Sequence, residues 1–344
     1  MNVLVFTNKD TLIKKIFPAK TQYFVLTKIR ECLSKDADIF YIDIAGLSDA
    51  EIKKTLDIIK KGAIETPWGI IDSRGIIKDP AAIFFEGASD YIGSHFFKDP
   101  KKIVTKRFDN AIQWYKKLKA TSILPDKIDK KTDNKSKSDI LRTGIKFPAA
   151  KNFPGWKKME TGKTMPFFLL YCSMQGKDPL DSRVEEKALS QIYNRFVNLL
   201  NSKLKKWDGL NWIDTGNDCL FLLPPKQDCV EATIKDCLRM IICAPLISLE
   251  TLMIKIPVNF VFALHYGTIS YKPPGKTGTV VSDAVNAVYH LGAKKAQPGR
   301  LTISSEVPDG SVPKSLEDCF VDAGVYEGRK IWHSKKFSYE KPWV

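Results

Sequence analysis

Three short polar segments of the chain carry residues that could do chemistry. Asp43 ends one apolar run, and the turn that contains Asp214 and Asp218 separates two further apolar runs. A loop with prolines and glycines carries Lys276. Carboxylates can hold divalent cations, and a lysine can attract a phosphate group. The glycines beside Lys276 are too irregularly placed to predict a phosphate-binding loop on their own.

The second half of the sequence supplies the elements that would position two of these segments. Its apolar runs predict strands, two of them in a hairpin, at Pro166–Ser173, Leu210–Ile213, Cys219–Leu223, Ile254–Tyr266 and Leu301–Ser304. Apolar residues at helical spacing predict helices at Ser182–Leu204, Cys229–Ala244 and Ser282–Ala296. Long helices after strands, together with a hairpin, predict an α+β sandwich of the ferredoxin-like kind over residues 164–344.

Three motifs follow one another in this half: His265-Tyr-Gly267, Gly278-Thr-Val-Val-Ser-Asp-Ala-Val-Asn286 and Ala296-Gln-Pro-Gly299. With Val325-Tyr-Glu-Gly328 near the end, the series resembles class III adenylate/guanylate cyclases over about residues 165–332. The resemblance implies cyclisation of a nucleoside triphosphate by two metal ions held on two aspartates. It also implies a dimer whose sites are made from both partners. A structural role in the turn after a buried strand remains the alternative for His265 and Gly267.

The resemblance fails at the metal-binding positions. Ser173 stands where the family has its first aspartate, and Asn217 stands where it has its second. Asp218 and Asp178 are the remaining carboxylates nearby. Because a one-residue shift in a strand turns a side chain to the opposite face, Asp218 is expected to be a poor substitute. The sequence therefore predicts no metal site and no cofactor, with Mg²⁺ or Mn²⁺ bound only if activity remains.

The nucleotide-binding positions match the family only in part. Asn286 matches the asparagine that positions the ribose, although helix capping or packing is an alternative role. Thr279 occupies a base-selecting position that could accept adenine, but Ile213 replaces the base-selecting lysine. His290 replaces the arginine that stabilises the transition state, and a mostly neutral imidazole is a weak replacement. Asn286, Thr279 and Lys276 remain candidates for binding a nucleotide without turnover.

The first half of the sequence alternates short apolar runs with amphipathic stretches. Strands are predicted at Val3–Phe6, Ile39–Ile44, Trp68–Ile71 and Ala82–Phe85. Helices are predicted at Asp49–Lys60 and Lys101–Leu118. Alternation with short connections predicts a doubly wound parallel sheet over residues 1–119. The run that ends at Asp43 and the segment Phe85-Glu-Gly-Ala-Ser-Asp-Tyr-Ile92 resemble response-regulator receiver domains, which have a flavodoxin-like fold.

The receiver resemblance also lacks the residues that carry the family's chemistry. It implies that Asp43 matches the phosphoacceptor, beside an acidic pair that holds a metal and a lysine that completes the charge balance. Thr7 and Asn8 stand in place of the acidic pair, and Ser94 and His95 stand where the lysine is expected. We therefore expect a pseudo-receiver in which Asp43 is not phosphorylated and caps a turn.

A large part of the positive charge of the chain lies in one segment. The formal net charge is +15, and residues 120–163 form a predicted linker that is rich in lysine between residues 127 and 137. This stretch is either a solvated spacer or an arm for an acidic partner. Nucleic-acid binding is not favoured, because aromatic residues are not interleaved with the basic ones.

The remaining features of composition point to a reducing compartment. The N-terminus does not have the pattern of a signal peptide, and no apolar run is long enough to span a bilayer. The seven cysteines include no C-x-x-C pair, so buried reduced thiols are expected. A cytoplasmic location is predicted.

Three hypotheses for function follow from the residues. The first is a signal-transduction protein whose cyclase-like domain is inactive and acts in dimerisation, regulation or scaffolding, with itself or with a related cyclase. The second is a residual adenylate or guanylate cyclase that uses Asp218, Asp178 or a partner's carboxylates. The third is a nucleotide-binding sensor without turnover.

Overall fold

The computed structural model gives two compact units. The described residues up to 120 form the first unit, and those from 141 onward form the second. The structure describes residues 1–8, 11–32, 36–61, 66–77, 80–85, 87–98, 103–120, 141, 143–147, 153–175, 186–254, 258–277 and 282–336.

The first unit contains a five-stranded parallel sheet. Its strands are β1 (Val3–Phe6), β2 (Gln22–Phe24), β3 (Ile39–Asp43), β4 (Trp68–Ile71) and β5 (Asp90–Ile92). Their order in the sheet is β2-β1-β3-β4-β5, and every neighbouring pair is parallel. This is one of the two common orders of doubly wound sheets. Such a sheet places its ligand-accessible edge at the carboxyl ends of the strands.

Helices and burial show that both faces of this sheet are covered. The helices are α1 (Thr11–Ile16), α2 (Ile29–Cys32), α3 (Asp49–Lys61), α4 (Pro80–Phe85), α5 (Ser94–Lys98) and α6 (Thr105–Ala120). On one face, Ile13 of α1 and Phe108 of α6 pack with Tyr41 of β3. The alternate strand residues, among them Phe6 and Phe40, are buried as well. Continuous apolar strands are typical of parallel sheets buried on both faces.

The predicted strand at Ala82–Phe85 is wrong, because this segment lies in helix α4. Pro80 occupies the first helical position, where its fixed φ and missing N–H favour a helix start. Two alanines follow it and add helix propensity. The fifth strand is instead Asp90–Ile92, which has only three residues. The short strand β2 was not predicted, because it has no run of buried residues.

The second unit contains a seven-stranded mixed sheet. Its strands are β6 (Thr164–Gln175), β7 (Leu210–Asp214), β8 (Asp218–Leu223), β9 (Asn259–Ser270), β10 (Arg300–Ser304), β11 (Phe320–Tyr326) and β12 (Arg329–Ser334). Their order is β11-β12-β10-β9-β6-β8-β7, and only β9 and β10 are parallel neighbours. Its helices are α7 (Glu186–Leu204), α8 (Gln227–Ile242), α9 (Ala244–Glu250) and α10 (Asp283–His290).

Strands β6 to β9 with helices α7 and α8 follow the order βαββαβ, with the four strands arranged β9-β6-β8-β7. This is the connectivity of ferredoxin-like folds. The predicted combination of a parallel sheet in one half and a mixed α and β arrangement in the other is confirmed.

The two faces of the second sheet are covered by different helices. On one face, the ring of Phe196 in α7 stacks on Phe260 at 5.4 Å. On the other face, α10 packs against β6 and β9 through Ala284 and Val288. We call this second side the α10 face. It carries Tyr171, Leu220 and Ala263 in register across three strands.

Strand β9 extends beyond its predicted end at Tyr266 to Ser270. His265 and Gly267 therefore lie inside a strand and not in the turn after it. A Cβ at Gly267 would come within 2.5 Å of the Ala284 Cβ. Gly267 thus allows α10 to approach the sheet closely. The predicted helix Ser282–Ala296 is α10 followed by a π-helical turn at Leu291–Lys295.

A short segment before β6 is tied to the second unit, and we call residues 143–147 the strap. The Asp309 carboxylate accepts hydrogen bonds from the backbone N–H of Thr143 at 2.6 Å, from its hydroxyl at 2.9 Å, and from the Gly144 N–H at 3.2 Å. The Asp309 N–H donates to the Ile145 carbonyl oxygen. The predicted basic segment 127–137 lies outside the described residues.

Two further expectations concern cysteines and membranes. Six of the described cysteines are buried as thiols and not as disulfides: Cys172, Cys219, Cys229, Cys237, Cys243 and Cys319. Burial raises the pKa of the Cys243 thiol to about 12, which keeps it protonated and unreactive. Among the residues that the structure describes, no helix combines the length and the apolar character needed to cross a bilayer.

Candidate functional site

Ser173 and Asp218 are direct cross-strand partners in the antiparallel pair β6 and β8. Side chains at directly opposed positions share a face, so Asp218 faces the same side of the sheet as Ser173. The expectation that the one-residue shift would turn Asp218 away from this site is wrong. The reason is that Asn217 lies in the turn, whereas Asp218 is the first residue of β8.

Each oxygen of the Asp218 carboxylate accepts a hydrogen bond from a neutral hydroxyl group. The Thr215 hydroxyl donates to Oδ1 at 2.7 Å, and the Tyr171 hydroxyl donates to Oδ2 at 3.2 Å. Tyr171 lies two residues before Ser173 on the same face. Burial, and then the negative charge of Asp218, raises the pKa of Tyr171 far above its usual range. Tyr171 is therefore a hydrogen-bond donor at all physiological pH values.

A second tyrosine closes the space over this pair. The rings of Tyr289 and Tyr171 meet edge to face at 5.6 Å. Burial, and then the charge of Asp218, also raises the pKa of Tyr289. The Tyr289 hydroxyl is buried and has no hydrogen-bond partner among the described residues. Two aromatic rings are thus packed together beside the Asp218 carboxylate.

The hairpin that carries Asn217 is braced from helix α7. The Tyr193 hydroxyl lies 2.9 Å from Asp214 Oδ1 and 2.8 Å from the Asp218 carbonyl oxygen. Asp214 also accepts the Gly216 N–H at 2.9 Å. Gly216 has a φ of +82°, which is a conformation that glycine adopts readily. The Asp214 carboxylate therefore shapes the turn, and Asn217 lies at its exposed tip.

The candidate nucleotide-binding residues that the structure describes are exposed. Asn286 is exposed on the outer side of α10, and His290 follows one turn later on the same side, with Nδ1 2.9 Å from Glu327 Oε1. Asn286 is not the helix cap, because the Ser282 hydroxyl accepts the Val285 N–H. Lys276 is exposed in the loop after β9.

Two sequence candidates cannot be placed. Thr279 and Asp178 lie outside the described residues.

His265 forms a buried polar cluster on the α10 face. Its Nδ1 lies 2.8 Å from the Ser304 hydroxyl and 3.6 Å from Glu306 Oε2. Arg329 pairs with the other Glu306 oxygen at 3.0 Å. Burial lowers the pKa of His265 to about 4. The nearby charge of Glu306 acts in the opposite direction but is the smaller effect. Both short contacts of His265 are made from one ring nitrogen, so the cluster does not have the arrangement of a nucleophile–base–acid triad.

The stability of the second unit should depend on the protonation of His265. An unfolded chain binds a proton on this imidazole below its ordinary pKa of 6.5, but the folded protein binds it only below about 4. The free energy of unfolding should therefore fall as the pH falls from 6.5 towards 4, by about 3 kcal/mol. Urea unfolding of wild type and His265→Asn across this range measures the difference. The control is His290→Asn, which changes an exposed histidine, and its free energy of unfolding should fall with pH as in wild type. If the free energy of unfolding of His265→Asn depended on pH as in wild type, the role of His265 would be contradicted.

In the first unit, Asp43 ends β3 in a closed environment. The Thr7 hydroxyl donates to Asp43 Oδ2 at 2.6 Å, and the Ala45 N–H donates to Oδ1 at 2.9 Å. The second contact is an Asx turn, which fixes the loop after the strand. Asp43 is 2% exposed. A phosphoryl donor would have to displace Thr7 to reach this carboxylate.

Two buried aspartates in the first unit were missed from the sequence. Asp72 follows β4 and accepts hydrogen bonds from Ile76 N, Ile77 N and the Tyr91 hydroxyl. Asp90 begins β5 and receives two hydrogen bonds from Arg107. Each carboxylate lies directly after or at the start of a buried strand. This position next to an apolar run is the sequence signal that could have identified it. Their full sets of donors indicate structural roles.

The described residues beside Ser173 do not by themselves fit a pair of divalent cations. Such a pair needs several negative oxygens, whereas these residues offer the Asp218 carboxylate, the Ser173 hydroxyl and the hydroxyls of Tyr171 and Tyr289. Across the described part of the chain, no group of three or more His, Cys, Asp or Glu side chains could hold a metal ion. These described side chains can accept and donate hydrogen bonds, and Asp218 is the carboxylate that they bring to the site.

The geometry of the second unit can be set beside known proteins. No protein-family model and no curated protein matches the chain. The chain is similar to a non-canonical dimeric guanylyl cyclase domain of the RhoGC fusion protein from the aquatic fungus Blastocladiella emersonii. This match has 16% identity, covers 51% of this chain and 97% of that one, and has a TM-score of 0.41.

Two bacterial proteins give similar values. The adenylyl cyclase CyaB from P. aeruginosa has 16% identity, covers 53% of this chain and all (100%) of that one, and has a TM-score of 0.40. The adenylate/guanylate cyclase/hydrolase from Silicibacter pomeroyi has 19% identity, and the match covers 50% of this chain and 98% of that one with a TM-score of 0.39. Similarities at this level do not establish a family for the chain.

Proposed function

We propose that the second unit is a class III cyclase-like module that makes no cyclic nucleotide and acts through association with another protein chain. The observation that carries this proposal is the pairing of Ser173 with Asp218. The position that needs a second carboxylate holds a neutral hydroxyl, and the carboxylate that the described residues place opposite it, Asp218, is already engaged by Thr215 and Tyr171. The motif series between His265 and Gly299 supports the cyclase-like assignment.

The outer side of α10 supports an association surface. Asp283, Asn286 and His290 are exposed there, and His290 is joined to Glu327 between β11 and β12. Val325 of β11 is 70% exposed. Strand β11 is at the edge of the sheet, and an edge strand can pair with a further chain. A second copy of this chain, or a related cyclase-fold protein, is the partner that we propose.

The first unit contributes a receiver-like docking module in this proposal. Its parallel strand order and the position of Asp43 at the end of β3 support the receiver-like assignment. The hydrogen bonds from Thr7 and Ala45 to Asp43 support a module that does not use phosphorylation. A signalling role without chemistry follows for both units.

A cyclase assay with Mn²⁺ and either ATP or GTP tests the proposal. Loss of a single donor that stabilises developing charge costs about 100-fold to 1,000-fold in turnover, so the combined losses should leave no detectable cyclic nucleotide. Asp218→Ala and the control Asp283→Ala should be equally inactive. Product from wild type that disappears in Asp218→Ala but persists in Asp283→Ala would overturn the proposal. Light scattering at high concentration should give a dimer, and monomer alone would count against self-association.

A nucleotide sensor is a second candidate, because Asn286 and Lys276 are both exposed. Calorimetry with ATP, GTP and cyclic nucleotides separates it from the first. Binding heat that Asn286→Ala abolishes would favour the sensor. Absence of heat at millimolar nucleotide would exclude it.

A further inference from the structure

The end of the second sheet that is remote from Ser173 and Asp218 is basic. Strands β6 and β7 begin there, and β8 and β9 end there. Four paired strands at the usual spacing span roughly 15 Å, so this end is an extended surface and not a pocket. The segments that enter or leave three of these strands carry lysines, of which one is partly exposed and the others are exposed: Lys157, Lys158, Lys163, Lys205, Lys272 and Lys276. We call these residues the lysine surface.

Hydrogen bonds show that the segments that carry these lysines adjoin one another. The Tyr271 N–H donates to the Lys163 carbonyl oxygen at 2.9 Å, and the Gly162 N–H donates to the Tyr271 carbonyl oxygen at 2.7 Å. The Trp156 indole N–H donates to the Asp208 carbonyl oxygen at 2.6 Å. The rings of Trp156 and Tyr271 lie 5.9 Å apart. The segments before β6, before β7 and after β9 are therefore held together by backbone hydrogen bonds and aromatic contacts.

Few carboxylates offset the charge of the lysine surface. None of its lysines forms an ion pair with another described side chain. Within residues 157–163, 205–208 and 272–276, the acidic residues are Glu160 and Asp208, and Asp208 pairs with Lys226 at 3.3 Å. Beyond β9, Glu306 follows β10 and marks the limit of the basic area. Positive charge is therefore in large excess on this surface.

A buried cluster beside the lysine surface has the same excess. Asp236 is 2% exposed, and its carboxylate lies 3.2 Å from Arg239 and 3.6 Å from Lys206. Burial lowers the pKa of Lys203 to about 8. The charge of Asp236 opposes this shift, whereas the charges of Lys206 and Arg239 add to it. One carboxylate thus serves three cations, and a further negative charge near this end would stabilise them.

The side chains at this end distinguish between classes of polyanion. Trp156 stacks on Phe167 at 5.6 Å, and Tyr271 is 5% exposed, so these rings do not offer free faces for stacking on nucleic-acid bases. Every cation of the surface is a lysine, which lacks the planar fork with which arginine binds a phosphate group bidentately. Lysines near an anionic bilayer need no fixed geometry, because each contributes through its distance from the charged surface.

We propose that the lysine surface binds the second unit to an anionic lipid bilayer by electrostatic adsorption. None of the exposed large apolar side chains in the described part of the chain lies in these segments, so binding involves no insertion and is reversible. The end of the sheet with Ser173 and Asp218 points away from the bilayer in this arrangement. The proposal does not depend on whether the second unit makes a cyclic nucleotide.

Co-sedimentation of the full chain with lipid vesicles tests this proposal. Vesicles of phosphatidylcholine that also contain phosphatidylserine should bind the protein at about 0.1 M salt, whereas vesicles of phosphatidylcholine alone should not. Binding should be lost at about 1 M salt, where the Debye length falls to about 3 Å. Vesicle binding and cyclase activity are separate measurements, so failure here leaves the proposed function untouched.

Matched variants identify the residues responsible. A variant that neutralises four lysines of the surface should lose about 100-fold or more in partition coefficient, because each lysine contributes roughly fivefold near an anionic surface. Its substitutions are Lys157→Gln, Lys158→Gln, Lys163→Gln and Lys272→Gln. A control variant removes the same charge from exposed lysines of the first unit and should bind like wild type. Its substitutions are Lys53→Gln, Lys54→Gln, Lys106→Gln and Lys116→Gln. Circular dichroism and urea unfolding check that both variants are folded.

Three results would overturn the proposal. The first is equal binding to vesicles with and without phosphatidylserine. The second is binding that the surface variant retains, or that the control variant loses to the same extent. The third is binding of duplex DNA or of polyglutamate that is tighter than vesicle binding at the same concentration of negative charge and is lost in the surface variant. That result would assign the surface to a nucleic acid or to an acidic protein.

Discussion

Arg107→Met is expected to lower the free energy of unfolding of the first unit by about 3–5 kcal/mol, as typical for breaking a buried ion pair. The Arg107 guanidinium donates to both oxygens of Asp90 at 2.8 and 2.9 Å. The Asp90 side chain is 1% exposed and that of Arg107 is 11% exposed. Among the described residues, removing the arginine leaves this buried carboxylate with the Tyr41 hydroxyl and one backbone N–H as donors.

Urea unfolding, followed by tryptophan fluorescence, measures this effect. Lys106→Met removes a charge from the preceding residue, which is exposed, and should change stability little. The double variant Asp90→Asn, Arg107→Met should recover part of the loss, because no uncompensated charge remains in the interior. A single Arg107→Met variant as stable as Lys106→Met would show that the pair is not needed.

Gly292→Ala is expected to destabilise the second unit by about 3 kcal/mol, at the upper end of ordinary overpacking. A Cβ at this position would lie 2.2 Å from Cδ1 and 2.4 Å from Cγ of Tyr171. These atoms are at the base of the ring, so they cannot move aside without displacing β6. Tyr171 is also held by Tyr289 and by its hydrogen bond to Asp218.

A double-mutant cycle with Tyr171→Ala isolates this contact. In the Tyr171→Ala background, the added methyl group at position 292 meets no ring and should cost little or stabilise the helical turn. Thermal and urea unfolding of the four proteins give the coupling free energy. Equal costs of Gly292→Ala in both backgrounds would mean that the ring does not limit this position.

The elements with continuous apolar runs could be predicted from the sequence. Strands β1, β3, β4 and β8 were located because their side chains are almost all buried. Strand β7, in which only Trp212 is buried, was located as the other arm of the hairpin. Segment Ala82–Phe85 was misassigned because a short apolar run is compatible with a buried helix as well as a strand. Strand β2 has no such run and depends on its pairing with β1.

The site was harder to predict than the elements that carry it. The candidates Ser173 and Asp218 could be named, but their pairing depends on where the turn ends and β8 begins. That register is set by Gly216 and by the bracing of the turn from Tyr193, which no local pattern reveals. Tyr171 could have been found, since it lies two residues before Ser173 in a strand. The pairing of Asp90 with Arg107 depends on how α6 packs against the sheet, and it leaves no local signal.

The attachment of the strap to Asp309 decides where a mechanical load would enter the second unit. Tension applied to the chain from its N-terminal side would reach the hydrogen bonds between Thr143, Gly144 and Asp309 before it reached β6. The force would therefore act first on the loop after β10, and the long central strand would be shielded until these bonds had ruptured.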